Sequence, residues 1–225
     1  MTSFAAGLRA GGPARPARRG LWVTFVSPFG LEVATAGGGA EWIGIDVQHG
    51  DLDIADVAPL ARVLDAGVDG VIVPAVESAA QAGQLVRAAC FPPRGRRSKG
   101  LARVSLLGPR DQPLLLPMVE TRAGLDHLDD ILGVDGVDGI FLGPYDLALS
   151  LGQESVLAGE VVSAIESVID RTRGRDRITG IFTGNRELTE LLPAVDLLGV
   201  DTDAAALRAG LKLMFGQPRP AADPR

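Results

Sequence analysis

The feature that most constrains this chain is a repeated alternation of short apolar runs with longer, helix-patterned segments. Seven runs, 21–26, 42–47, 70–76, 114–119, 139–142, 178–182 and 197–200, are apolar without a two-residue alternation. Strands read this way when both faces of their sheet are covered. Between them 54–65, 79–89, 122–132, 156–173 and 187–192 carry helical spacing, and 203–215 gives a closing helix. Such repetition predicts βαβ units around a parallel sheet. No GxGxxG follows the first run, and Gly37-Gly38-Gly39 precedes a strand where a phosphate cradle would open a helix. The pattern therefore favours a TIM-type (β/α) barrel over a dinucleotide-binding sheet. Seven runs are one short of the eight that close such a barrel, so one β/α unit is expected to be missing.

Length and composition agree with one barrel domain over 1–225. The chain has 225 residues, 46% of them hydrophobic, and 29 glycines for tight turns. Its opening, MTSFAAGLRAGGPARPARRG, is arginine-rich and lacks both acids and the apolar segment of a signal peptide. It reads as a short helix with a flexible lead-in over about 1–19, and the proline-rich residues 216–225 read as a flexible end. A net charge of -6 argues against nucleic acid as a partner. No apolar run approaches the roughly 20 residues of a membrane span. The single cysteine, Cys90, excludes a disulfide framework and points to a reducing, cytoplasmic setting. Beside Phe91-Pro92-Pro93 it reads as a small core residue.

In a barrel the chemistry belongs at the C-terminal ends of the strands. There the sequence places Asp46, Gln48 and His49, then Glu120, then Gly143-Pro144-Tyr145-Asp146, and finally Asp201 and Asp203. Carboxylates on two neighbouring strand tips, Glu120 and Asp146, can share a hard divalent cation, with water and substrate oxygens filling its other positions. A nearby neutral histidine, His49, would serve as a proton acceptor. The same residues have plainer uses. Asp146 ahead of Leu147-Ala148-Leu149 can cap a helix, Glu120 can serve a helix dipole, and His49 can be structural. His127 reads as a solvated helix residue, and Asp201 and Asp203 as caps of the last helix. The basic stretch 94–99 reads as an exposed loop.

Taken together, the segments GLWVTF, IDVQHG, LDAGVDGVIVPAVESAAQA, FPPRGRRS, PMVETRAGLDHLDDILGVDGVDGIFLGPYDLALSLG and GVDTDAAALRAG span about 20–210. They resemble the HpcH/HpaI aldolases, metal-dependent (class II) pyruvate aldolases of the citrate lyase-like superfamily. The resemblance implies a barrel lyase that cleaves or forms 4-hydroxy-2-oxoacids through a metal-bound pyruvate enolate. It implies Glu120 and Asp146 as ligands of Mg²⁺ or Mn²⁺, with Co²⁺ as an alternative. His49 would be the base, Asp65 the acid that raises its basicity, and Gly143, Pro144, Tyr145 and Trp22 would bind substrate. The partners implied are a small 2-oxoacid, an aldehyde and further copies of the chain, assembled as hexamers in the family.

The sequence also departs from that pattern. Relatives carry another strand between the IDxEHG and LDAG motifs, ending in a VRVP-like segment whose arginine steadies charge on the keto oxygen. Here HGDLDIADVAPLARVLDAG has room for one helix only, and Arg62 lies within it. Met118 stands where a glutamine is usual, and Gln48 where a glutamate is usual. Two further expectations follow: an arginine of the 94–97 loop replaces the absent one, or the protein is a weakened relative that binds metal and 2-oxoacid without efficient turnover. A CoA-thioester lyase of the same superfamily is the remaining alternative.

Overall fold

The computed structural model describes residues 4–10, 16–25, 28–36, 38–46, 64, 68–97 and 112–216. Seven strands form one sheet: β1 (Arg18–Val23), β2 (Trp42–Ile45), β3 (Gly70–Val73), β4 (Leu114–Val119), β5 (Gly139–Leu142), β6 (Ile178–Phe182) and β7 (Leu197–Thr202). Their order is β2-β1-β7-β6-β5-β4-β3, and every pair is parallel. The first strand pairs with the last, which is how a TIM-type barrel winds back on itself. Each of the seven expected runs holds a strand, but β1 begins three residues before its run, at Arg18, and β3 stops at Val73. The sheet has its two edges at β2 and β3, where the sequence lacks a unit. The expected helix over 54–65 lies outside the described residues except for Leu64, which is helical and 4% exposed.

The helices are α1 (Phe4–Arg9), α2 (Pro28–Ala36), α3 (Ala79–Ala89), α4 (Arg122–Asp126), α5 (Leu128–Leu132), α6 (Pro144–Ser150), α7 (Gly159–Arg173), α8 (Arg186–Leu191) and α9 (Asp203–Phe215). Side-chain caps set several starts: Ser78 accepts from Gln81 N–H, Thr121 from Gly124 N–H, and Asn185 from Leu188 N–H. The stretch 122–132, expected as one helix, is two, broken at His127. The exposed His127 ring has Nδ1 3.0 Å from the Ala123 carbonyl. No helix among the described residues is long and apolar enough to cross a membrane.

Two apolar clusters follow from strands covered on both faces. The larger joins the outer sheet face to the helices through Leu115, Ile140, Leu142, Ile165, Ile169 and Ile181. The smaller fills the barrel interior, with Leu114, Leu116, Phe141, Ile178 and Leu197 buried and Trp22, Trp42 and Phe182 against them. Phe141 is fully buried, and Gly180 gives it room, since a Cβ there would meet the ring at 2.5 Å.

The short opening helix is not a free appendage. Phe4, Ala5 and Leu8 of α1 join the interior cluster. Arg9 bonds both carboxylate oxygens of Asp138, at 2.7 and 3.1 Å, and the carbonyls of Gln112 and Pro113, each at 2.8 Å. Those partners precede β4 and β5, so α1 closes the N-terminal end of the barrel. The opposite end carries the polar rim.

Candidate active site

Residues that follow parallel strands share one rim, and the ladder fixes who stands beside whom. Val119 and Leu142 are register partners in β4 and β5. The next residues are therefore neighbours: Gly143 N–H donates to the Val119 carbonyl at 3.3 Å, beside Glu120. The Glu120 side chain is buried, 8% exposed. Its Oε1 accepts the Ala75 amide at 2.8 Å. Its Oε2 lies over Gly143, where an added Cβ would come within 2.6 Å of it. Gly143 is thus a close-approach glycine: any side chain would strike the carboxylate. Met118 lines the same corner, its Sδ 3.1 Å from that Cβ position. Asp146 stands three residues on, exposed, in the first turn of α6.

At the β5–α6 corner the Gly143 amide is spent on Val119 and Pro144 has none. The first bond within α6 runs from Leu147 N–H to the Gly143 carbonyl at 3.0 Å. Outward donation falls to the amides of Tyr145 and Asp146. The Tyr145 hydroxyl is committed elsewhere: it donates to the Thr183 carbonyl at 3.0 Å, bracing α6 against the end of β6. Burial, and then the negative charge of Asp201, raise the phenol above its ordinary pKa, so it stays a donor at neutral pH.

Trp22 faces the barrel interior between Phe141 and Phe182, at centroid distances of 5.7 and 5.6 Å. Its indole N–H donates to Asp46 Oδ2 at 3.1 Å, and the Asp46 amide donates to the Val23 carbonyl at 2.7 Å. This tie fixes the start of the stretch that leads to His49. His49 and Asp65 themselves lie outside the described residues.

Two further expectations concern Asp203 and the 94–97 loop. Thr202 is the N-cap of α9, accepting from Ala205 N–H at 3.1 Å, and Asp203 adds a first-turn bond from Ala204 N–H at 2.9 Å. Asp203 is 5% exposed and holds the end of β1, accepting from Thr24 N–H, Thr24 Oγ1–H and Phe25 N–H at 2.8 to 3.1 Å. In the 94–97 loop, Arg94 and Arg97 are engaged away from the rim. Arg94 lines a cavity of about 490 Å³ with Arg9, Gln112, Pro113 and Asp138, at the closed end of the barrel. Arg97 lies over the Phe91 ring and reaches the Ala89 carbonyl at 3.5 Å. Sequence reading missed Ala75, whose part is played by a backbone amide that no side chain announces.

The donors on the rim suit a hard divalent cation: Glu120 and Asp146 offer oxygen only, and one Glu120 oxygen is fixed by an amide. Among the described residues no three His, Cys, Asp or Glu side chains gather as a metal-binding group. A cation on the two carboxylates would keep positions for water and substrate oxygens, as Mg²⁺ prefers.

The parallel strand order and the buried acid at the C-terminal rim define an incomplete TIM-type (β/α) barrel. The family model described as HpcH/HpaI aldolase/citrate lyase matches residues 47–198. A hydroxypyruvate/pyruvate aldolase of Roseovarius nubinhibens is 39% identical over 198 residues, covering 72% of this chain and 76% of the relative. A 4-hydroxy-2-oxo-heptane-1,7-dioate aldolase of Escherichia coli is 33% identical, covering 99% of this chain and 98% of the relative. That alignment spans 261 residues, more than the 225 present here, so part of the relative has no counterpart in this chain. Among solved structures, an HpcH/HpaI aldolase/citrate lyase family protein from Burkholderia cenocepacia J2315 superposes with a TM-score of 0.75 at 26% identity, covering 95% of this chain and 98% of that one. The HpcH/HpaI aldolase of Desulfitobacterium hafniense DCB-2 shares the fold, with a TM-score of 0.77 at 23% identity over 91% of this chain and 96% of that one. The chain belongs to the HpcH/HpaI aldolase/citrate lyase family. It is an aldolase, a carbon–carbon lyase of the class that works with a divalent metal.

Proposed function

We propose that this aldolase cleaves and forms 4-hydroxy-2-oxoacids, with pyruvate as the 2-oxoacid and an aldehyde as the second product. The observation that carries the reading is the rim corner where buried Glu120 lies over Gly143, one strand from Asp146. Glu120 and Asp146 would hold Mg²⁺ or Mn²⁺, Co²⁺ being the alternative. When bound, the cation supplies a Lewis acid that polarises the keto group of the oxoacid.

The chain's own residues supply the rest. The Tyr145 and Asp146 amides receive the substrate carboxylate at the β5–α6 corner, with Gly143 and Pro144 shaping the approach. Trp22 forms the apolar floor and steadies Asp46. In the direction of synthesis a ring nitrogen of His49 removes a proton from C3 of pyruvate; that carbon then bonds to the aldehyde carbon as the aldehyde C=O opens and its oxygen takes up a proton in return. Asp65 raises the basicity of that imidazole. Cleavage runs the same transfers in reverse.

Self-association belongs to the same reading. Helix α9 exposes Leu207, Leu211, Met214 and Phe215 on one apolar face that further copies of the chain would cover. The lone Cys90 supports a cytoplasmic setting.

The test is deuterium uptake into pyruvate in D₂O with added Mn²⁺, followed by proton NMR. The methyl signal is expected to decay with the intact protein and to persist with EDTA, with Glu120→Gln and with His49→Ala. A methyl signal that never decays with intact, metal-loaded protein refutes the proposal. This measurement needs no knowledge of the true aldehyde.

A further inference from the structure

The turn that follows β3 does more than connect it to α3. Val76 is 4% exposed and sits in the outer core, and its amide donates to the Met118 carbonyl at 3.3 Å. Pro74 ends the strand just before. Between these two fixed points Ala75 takes φ +52°, a left-handed conformation that alanine adopts only at an energetic cost. Such strain persists where surrounding contacts over-determine it. Here the product of the strain is visible: the Ala75 amide points at Glu120 Oε1, 2.8 Å away.

A second tie holds the turn to the same strand end. Thr121 Oγ1–H donates to Glu77 Oε1 at 2.8 Å, while the Glu77 amide donates to Gln81 Oε1 at 2.7 Å. Three bonds thus join the Pro74–Ser78 turn to residues 118, 120 and 121. The middle one engages one oxygen of the carboxylate, whose other oxygen faces Gly143 and the α6 corner.

We propose that the Pro74–Ser78 turn is a positioning clamp for Glu120, with the Ala75 amide as its jaw and Glu77 as its anchor on Thr121. The clamp fixes which carboxylate oxygen is presented to the cation and at what angle. It rests on the reading of Glu120 as a metal ligand and deepens it. Neither Ala75 nor Glu77 touches substrate; both act through Glu120.

The test is Mn²⁺ affinity of the full chain, with free Mn²⁺ counted by electron paramagnetic resonance. Glu77→Ala leaves Glu120 and Ala75 in place but removes the anchor, and is expected to weaken binding about tenfold, the lower range for loss of a supporting hydrogen bond at a metal site. Glu77→Gln keeps an oxygen for the Thr121 hydroxyl and is expected to restore affinity, a rescue that a charge effect would not give. Ala75→Pro, which deletes the amide, is expected to weaken binding at least as much; if it does not fold, the Glu77 pair decides. Parent-like affinity in Glu77→Ala, or equal losses in Glu77→Ala and Glu77→Gln, overturns the clamp. Parent-like affinity in Glu120→Gln overturns instead the reading on which it rests.

Discussion

Asp203 shows how much one buried carboxylate does beyond its expected post. It accepts the Ala204 amide of its own helix. Its oxygens also gather the Thr24 and Phe25 amides and the Thr24 hydroxyl, tying β1 to the start of α9. Removing it strands those donors, and hydrogen bonds to a charged group are worth about 1.5–3 kcal/mol. Asp203→Ala is therefore expected to lower unfolding stability by about 2–3 kcal/mol, with Asp203→Asn losing less because one carbonyl oxygen remains. Urea denaturation followed by circular dichroism checks both. The sequence could not separate this role from capping, because Thr202 and Asp203 are both good N-cap residues and adjacent. Ala75 was harder still, since its contribution is an amide carried by every residue but proline.

The strands were legible because burial on two faces leaves an unbroken apolar run, and all seven overlap those runs. Helix α7 was legible over most of its length for the corresponding reason, its apolar spacing. The break at His127 was not, because the apolar spacing continues through it from Leu125 to Leu128 and Ile131. Nor was the docking of α1, since nothing local to FAAGLR says what Phe4 will meet. That helix is held by interior contacts and by Arg9, whose guanidinium serves Asp138 and two carbonyls. Arg9→Ala is expected to cost about 2–3 kcal/mol, as for paired charged hydrogen bonds lost at a partly buried site. Because α1 closes the end opposite Glu120, Mn²⁺ affinity should stay at the parent value; a fall in both would show that the two ends are coupled.

At the level of the whole molecule, the rim acids were readable from their places after apolar runs and from the long motif around Glu120 and Asp146. The arrangement of that rim was not, because the distribution of its hydrogen bonds depends on strand register. The missing unit reappears as a sheet whose edges, β2 and β3, do not pair with each other among the described residues. The proposed self-association would use the apolar side of α9. Leu207→Glu with Leu211→Glu is expected to shift the protein toward smaller species in light scattering coupled to gel filtration, without changing the helical content. An unchanged mass would remove self-association through α9.

The aromatic packing inside the barrel has a practical corollary. The chain has two tryptophans, and both belong to the interior cluster, neither to the helical shell. Its tryptophan emission is therefore a gauge of the inner cylinder. A loosening confined to the outer helices would leave that glow unaltered, and a change of colour would mean that the staves themselves had parted.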